Sequence, residues 1–176
     1  FIVDVPSYME HACTQLLSYV EQTQMRALTH LQPFTFNEAE HYLRIDTNSK
    51  RNLELIQSIR GGDTKGTLLW LVDETVTAMG GRKLKQWMHQ PLASKRLIEQ
   101  RQHFVSDFLD EFFVRAELQE LLKKVYDLER LAGRVAFGSV GGRDLAQLRD
   151  SLRQVPSIYA QLASAQSPTL RQFASK

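Results

Sequence analysis

Apolar residues recur along most of this chain at intervals of three and four, the spacing of one face of an α-helix. After a short extended piece from Phe1 to Val5, halted by Pro6, the segment Ser7-Tyr8-Met9-Glu10 has the spacing of a capping box. Met9, Cys13, Leu16, Leu17 and Val20 follow it and predict a helix to about Gln24. The pattern then changes. Pro33–Phe36 and His41–Ile45 alternate in a way that suits two short strands around a turn at Asn37-Glu38. Asp46 is placed to cap a helix whose apolar face is Leu53, Ile56 and Ile59, ended by Gly61-Gly62-Asp63.

The stretch from Lys65 to Leu92 is the most informative. Leu68, Leu69, Leu71 and Val72 form an apolar run to Asp73, and the β-branched Thr75-Val76-Thr77 interrupts it. Thr77 is placed to cap a second helix, carrying Met79, Leu84, Trp87 and Met88 and stopping near Pro91. Gly80 and Gly81 inside it each cost about 1 kcal/mol against alanine, which suggests that another backbone passes close there. Ser94 is placed to cap a helix with the stripe Leu97, Ile98, Phe104, Val105, Phe108, Leu109 and Phe112. Leu118, Leu121, Leu122, Val125, Leu128, Leu131 and Val135 read as one further stripe ending around Gly138. After the Gly141-Gly142 loop, Leu145, Leu148, Leu152, Val155, Tyr159 and Leu162 form a seam of coiled-coil spacing, with a kink or restart expected at Pro156. Ser167-Pro168 opens a last helix. The fold class expected is mainly α, a multi-helix domain with one small β-strand pair near the N-terminus.

Composition narrows the reading only a little. A chain of 176 residues, 43% hydrophobic and 24% charged, suits one globular domain or slightly more. The net charge of +2 is too small to argue for nucleic acid unless the cations cluster. One cysteine, Cys13, gives no disulfide framework and fits a reducing compartment. No run of apolar residues is long enough for a membrane span, and no signal peptide is visible. The absent starting methionine and the helical pattern at Lys176 suggest a piece of a longer chain.

Tests for chemistry return little. Gly61 and Gly66 have the glycine spacing of a phosphate-binding loop, but Thr67 and Leu68 stand where Lys and Ser/Thr are required. His11, His30, His41, His89 and His103 form no pair at metal-ligand spacing, and no G-x-S-x-G elbow occurs. Asp107, Asp110, Glu111, Glu117 and Glu120 read as a solvated acidic surface. Arg82, Lys83, Lys85, Lys95 and Arg96, with His89 among them, are close enough in sequence to contact phosphates by charge attraction. A solvated helical face is the plainer reading of them.

Four stretches carry a family resemblance. Thr75, Val76, Thr77, Met79, Gly80, Arg82, Leu84, Lys85, Trp87 and Pro91 fit a TVT-x-MG-x-R-x-LK-x-W-x-x-x-P signature. Asp46, Ser49 and Arg51-Asn52-Leu53-Glu54-Leu55 fit a D-x-x-[TS]-x-RNLEL element. Val125, Asp127-Leu128-Glu129-Arg130 and Arg134 fit V-x-DLER-x-x-x-R, and Arg143-Asp144-Leu145 with Leu148-Arg149 fits PRDL-x-x-LR, Gly142 replacing the proline. Together they resemble the core domain of the bacterial MutS family of DNA mismatch-recognition proteins. The resemblance implies that residues 1–14 are the tail of a connector domain and that 15–176 are the first half of a core or lever domain. The mismatch-reading, clamp and ATPase domains would lie outside this chain.

The same resemblance implies a mechanical role, coupling an ATP-dependent state to a DNA clamp in mismatch repair. It implies no catalytic, cofactor-binding or metal-binding residue in this chain, since ATP and Mg belong to the ATPase domain. The partners implied are DNA, mainly through the other domains, a second copy in a homodimer, and downstream repair factors, in the cytoplasm and with no membrane. Two other readings stand beside it: a stand-alone helical adaptor or scaffold, and a weak sequence-independent DNA-binding module.

Overall fold

A computed structural model of the chain describes residues 6–24 and 41–174. The chain divides into two compact units, residues 1–39 and residues 40–176. The described part of the first is one helix, α1 (Ser7–Gln24), on which Cys13 is buried. The expected strand at 33–36 and its turn lie outside the described residues.

The second unit is helical: α2 (Thr47–Asn52), α3 (Leu68–Val72), α4 (Ala78–His89), α5 (Lys95–Asp110), α6 (Phe112–Leu122), α7 (Leu128–Phe137), α8 (Gly142–Ala163) and α9 (Pro168–Ala174). The mainly α class holds, but the strand pair does not. Among the described residues no strand forms; Tyr42 makes a single antiparallel bridge with Leu92. Leu43 N–H donates to the Pro91 carbonyl and Ala93 N–H to that of His41, each at 2.8 Å. The alternation at His41–Ile45 thus reflects pairing with the chain beyond Pro91, which the local pattern does not reveal.

Caps explain the starts of most short helices. Asp46 Oδ1 accepts from the N–H groups of Asn48 and Ser49 at 2.9 and 3.0 Å, and Oδ2 from the Ser49 hydroxyl at 2.6 Å. The helix it starts is shorter than its apolar positions predict. It stops at Asn52 because Glu54 takes a left-handed backbone, φ 45°, leaving Leu53 and Ile59 exposed and only Ile56 buried. The following loop returns to α3: the carbonyls of Glu54 and Leu55 accept from Leu68 and Leu69 N–H at 3.2 and 2.9 Å, two donors a helix start leaves unpaired. Thr67, almost fully buried, caps α3 through Trp70 N–H at 3.2 Å.

The corner between α3 and α4 is held by side chains. Asp73 Oδ1 accepts from Thr75 N–H and hydroxyl at 3.1 and 2.6 Å, and Thr77 Oγ1 accepts from Gly80 N–H at 3.0 Å. This corner also accounts for the glycine pair. A Cβ at Gly80 would lie 3.0 Å from Thr77 Oγ1, and one at Gly81 3.3 Å from Thr75 Oγ1. The close neighbours are threonine side chains of the preceding turn, not a crossing backbone.

Beyond Pro91 the unit is organised around α8, which packs against α6, α7 and α9, while α5 packs against α6 and α9. Leu118, Leu131, Leu162, Ala165 and Leu170 are buried in this assembly. The face of α8 turned inward carries Ser151, fully buried, whose Oγ accepts from Tyr126 N–H at 2.9 Å and donates to the Gln147 carbonyl at 2.8 Å. The seam positions Leu145, Leu152, Val155 and Tyr159 are left exposed. The helix passes through Pro156 without restarting. The single stripe expected over Leu118–Val135 is two helices, because Asp127 caps α7 through Arg130 N–H at 3.2 Å. That helix ends at Gly138, φ 76°, a backbone glycine adopts at low cost.

Two acids expected on a solvated surface instead receive the turn into α9. Glu111 accepts from Gln166 and Ser167 N–H at 2.9 and 2.7 Å, and Asp107 from the Ser167 hydroxyl at 2.8 Å.

Candidate functional site

The most concentrated polar geometry joins α4 to the start of α7. Arg82 donates from Nη1 to Asp127 Oδ2 at 2.6 Å and from Nη2 to Asp127 Oδ1 at 2.8 Å, the paired fork that a planar guanidinium makes with a carboxylate. Its Nε and Nη2 also donate to Glu129 Oε2 at 3.2 and 2.5 Å. The guanidinium holds the Asp127 carboxyl down to about 2, helped by the Arg130 N–H. The same two acids push the Arg82 proton affinity further up. A second pair follows: Arg134 of α7 donates to Asp144 of α8 at 2.8 Å. Asp144 also accepts from Gly141 N–H at 3.1 Å, and these two donors, the amide first, lower its pKa.

The five candidate phosphate contacts have different local partners. Arg82 is committed to the fork. Lys83 donates to Gln86 Oε1 at 3.1 Å, and Lys95 lies 3.7 Å from Glu99, both contacts on the residue's own helix. Arg96 is exposed in the first turn of α5. Lys85 lines a cavity of about 490 Å³ with Lys50, Arg51 and His89. Burial, then the charges of Lys50 and Lys85, lower the His89 pKa. Lys50 and Arg51 reach this place from α2, more than thirty positions before Lys85 in the chain. The available signal was the i, i+4 spacing of Lys85 and His89, which puts both on one side of α4. A contact between α4 and α5 was also not foreseen: the Arg101 guanidinium lies 3.9 Å from the centre of a Trp87 ring.

The loop from Gly61 to Gly66 connects α2 to α3, and Thr67, standing where a phosphate-binding loop needs lysine, is spent as a helix cap. Among the described residues, no three His, Cys, Asp or Glu side chains gather closely enough to hold a metal ion.

Residues 48–175 match the family described as MutS domain III. The chain belongs to that family. It is 69% identical over 173 residues to the DNA mismatch repair protein MutS of Lysinibacillus sphaericus, covering 98% of this chain and 20% of that protein. To its counterpart from Bacillus subtilis it is 56% identical over 150 residues, 85% of this chain and 18% of that one. The counterpart from Listeria welshimeri is 53% identical over 167 residues, 95% and 19% respectively. The chain therefore spans about a fifth of the length of the curated relatives it matches.

Set on the domain III fold, the four sequence signatures touch in order. The RNLEL carbonyls hold α3, the threonine corner turns α3 into α4, and Arg82 of α4 grips the DLER acids. Arg134, the last residue of the DLER segment, then grips Asp144 of α8. No helix among the described residues is long and apolar enough to cross a membrane.

Proposed function

We propose that this chain is the first half of the core, or lever, domain of a DNA mismatch repair protein, with residues 1–14 the tail of its connector domain. The domain III match over residues 48–175 carries this reading. The succession of contacts from the RNLEL loop through α4 and α7 to α8 supports a mechanical role, because packed elements joined by hydrogen-bond and ion-pair networks carry coupling between distant sites when they have two discrete arrangements. In this reading the chain relays an ATP-dependent state to a DNA clamp and a DNA-dependent state back. The whole protein binds mismatched DNA and ATP with Mg as a cytoplasmic homodimer and recruits downstream repair factors. The reaction belongs to the ATPase domain, and this piece performs none.

Any DNA contact made here is sequence-independent and runs through Lys83, Lys85, Lys95 and Arg96, with Arg82 reserved for structure. Affinity for matched and mismatched duplexes, measured against salt, tests this. Four cations give a slope of log affinity against log salt no steeper than about −4. Binding is expected to ignore the mismatch, to weaken when the four are replaced by glutamine, and to persist in Arg82→Gln. Mismatch preference or ATP hydrolysis by this chain alone overturns the reading.

A further inference from the structure

The cavity beside the C-terminal turn of α4 has a composition that the lever role does not require. Its walls are the end of α2, the loop that follows and Lys85, Met88 and His89. The loop side is preset by its own bonds. The Glu54 carboxylate accepts from Ile59 N–H at 2.7 Å, Ser58 N–H donates to the Asp63 carbonyl at 2.8 Å, and Gly62 turns with φ 69°. Leu55, Ile56 and Met88 supply apolar surface, while Lys50, Arg51 and Lys85 bring three basic side chains.

Among the described residues, no acidic side chain lines the cavity. Three acids adjoin lining residues in sequence: Asp46 is spent on the start of α2 and Glu54 on Ile59 N–H, while Asp63, next to Gly62, is not among the lining residues. No described carboxylate pairs with Lys50, Arg51 or Lys85. Like charges held around one concavity repel, and an anion placed among them replaces that repulsion with charge-assisted hydrogen bonds. The cavity, about 490 Å³, is in the size range of small-molecule sites, and its mixture of apolar wall and cations is that of a site for an amphiphilic anion.

We propose that this cavity binds a phosphate ester carrying a flat apolar body, of nucleoside monophosphate size. The phosphate sits among Lys50, Arg51 and Lys85, and the ring lies against Ile56 and Met88. Thr47 and Ser58, also on its wall, offer hydroxyls to the same ligand.

The test is a nuclear magnetic resonance titration of the 176-residue chain at low salt with adenosine 5′-monophosphate, and separately with inorganic phosphate. Saturable one-to-one shifts at the Met88 and Ile56 methyl groups and the His89 ring are expected, with inorganic phosphate binding more weakly. Replacing Lys50 and Lys85 by glutamine removes two charged partners and is expected to weaken the nucleotide at least about tenfold. A Lys83→Gln/Lys95→Gln chain, altered outside the cavity, keeps the affinity. Unaltered thermal melts establish that both variants fold. A short duplex added as competitor separates the sources of the phosphate: displacement of the nucleotide assigns the site to a nucleic-acid backbone, and no displacement to a free ester. Shifts that never saturate, that centre on Lys83, Lys95 and Arg96, or that survive loss of Lys50 and Lys85 overturn the proposal.

Discussion

The residues from Asp46 to Gln90 and those from Lys95 to Ala174 are ordered by different physics. In the first stretch α2 and α3 are short, and the apolar side chains that reach burial are Ile56 and Leu69. Order comes from hydrogen bonds that each span a few residues: Asp46 on α2, Thr67 on α3, Asp73 on Thr75, Thr77 on α4. In the second, helices packed on α8 bury Leu118, Leu131, Leu162 and Leu170, with Ala165 in the turn after α8. Caps fix changes of direction at the cost of little core, whereas leucine packing fixes long elements against each other. The Arg82 fork and the Arg101 stack on Trp87 stand where one regime passes to the other.

The largest effect that sharpens this comparison comes from the packed side. Leu131→Ala, at a buried position of α7, is expected to cost about 2–5 kcal/mol in chemical denaturation, while Leu53→Ala, on an exposed side chain after α2, stays within about 0.5. Equal losses at the two sites break the comparison. Ser151→Ala comes next, because it leaves the part-buried Tyr126 N–H without its acceptor; about 1–3 kcal/mol is expected from the same denaturation curves. On the capped side, Thr77→Ala removes the acceptor for Gly80 N–H and costs about 1 kcal/mol in thermal melts, most of it recovered in Thr77→Ser. The smallest effect is in pH. Asp127 is held at about 2 in the fold against an ordinary 3.8, so the unfolded chain takes up its proton first on acidification. The stability it contributes is present above about pH 4 and is lost as pH falls toward 2. Melts of Asp127→Asn, which keeps a capping side chain, are expected to fall less steeply across that window than those of the parent.

What the sequence made legible was local. Asp46, Thr77 and Ser167 were readable as caps and Gly138 as a terminator because each acts within one helical turn of itself. The helices of the second half were readable from their periodicity, although Asp127 divides one apparent stripe into two. The strand pair was misread because Tyr42 finds its partner at Leu92, across the whole of α2 to α4. The length of α2 was misread because Glu54 adopts a left-handed backbone inside an apolar pattern that continues past it. The fork was hidden for a related reason: Arg82 and Asp127 are 45 residues apart, and nothing in the spacing of cations tells a phosphate contact from a guanidinium already taken by a carboxylate. The cationic cavity was half visible in the neighbours Lys85 and His89, but Lys50 and Arg51 come to it only through the fold of the intervening loop.

The four signature segments form one connected path from the RNLEL loop to α8, with Arg82 as the joint between its halves. A double-mutant cycle of Arg82→Gln and Asp127→Asn, read by denaturation and by amide hydrogen exchange, tests it most directly. The double variant is expected to be little worse than the poorer single one, and Arg82→Gln alone to speed exchange at the start of α7 as well as in α4. Losses that simply add, with faster exchange confined to α4, would contradict it.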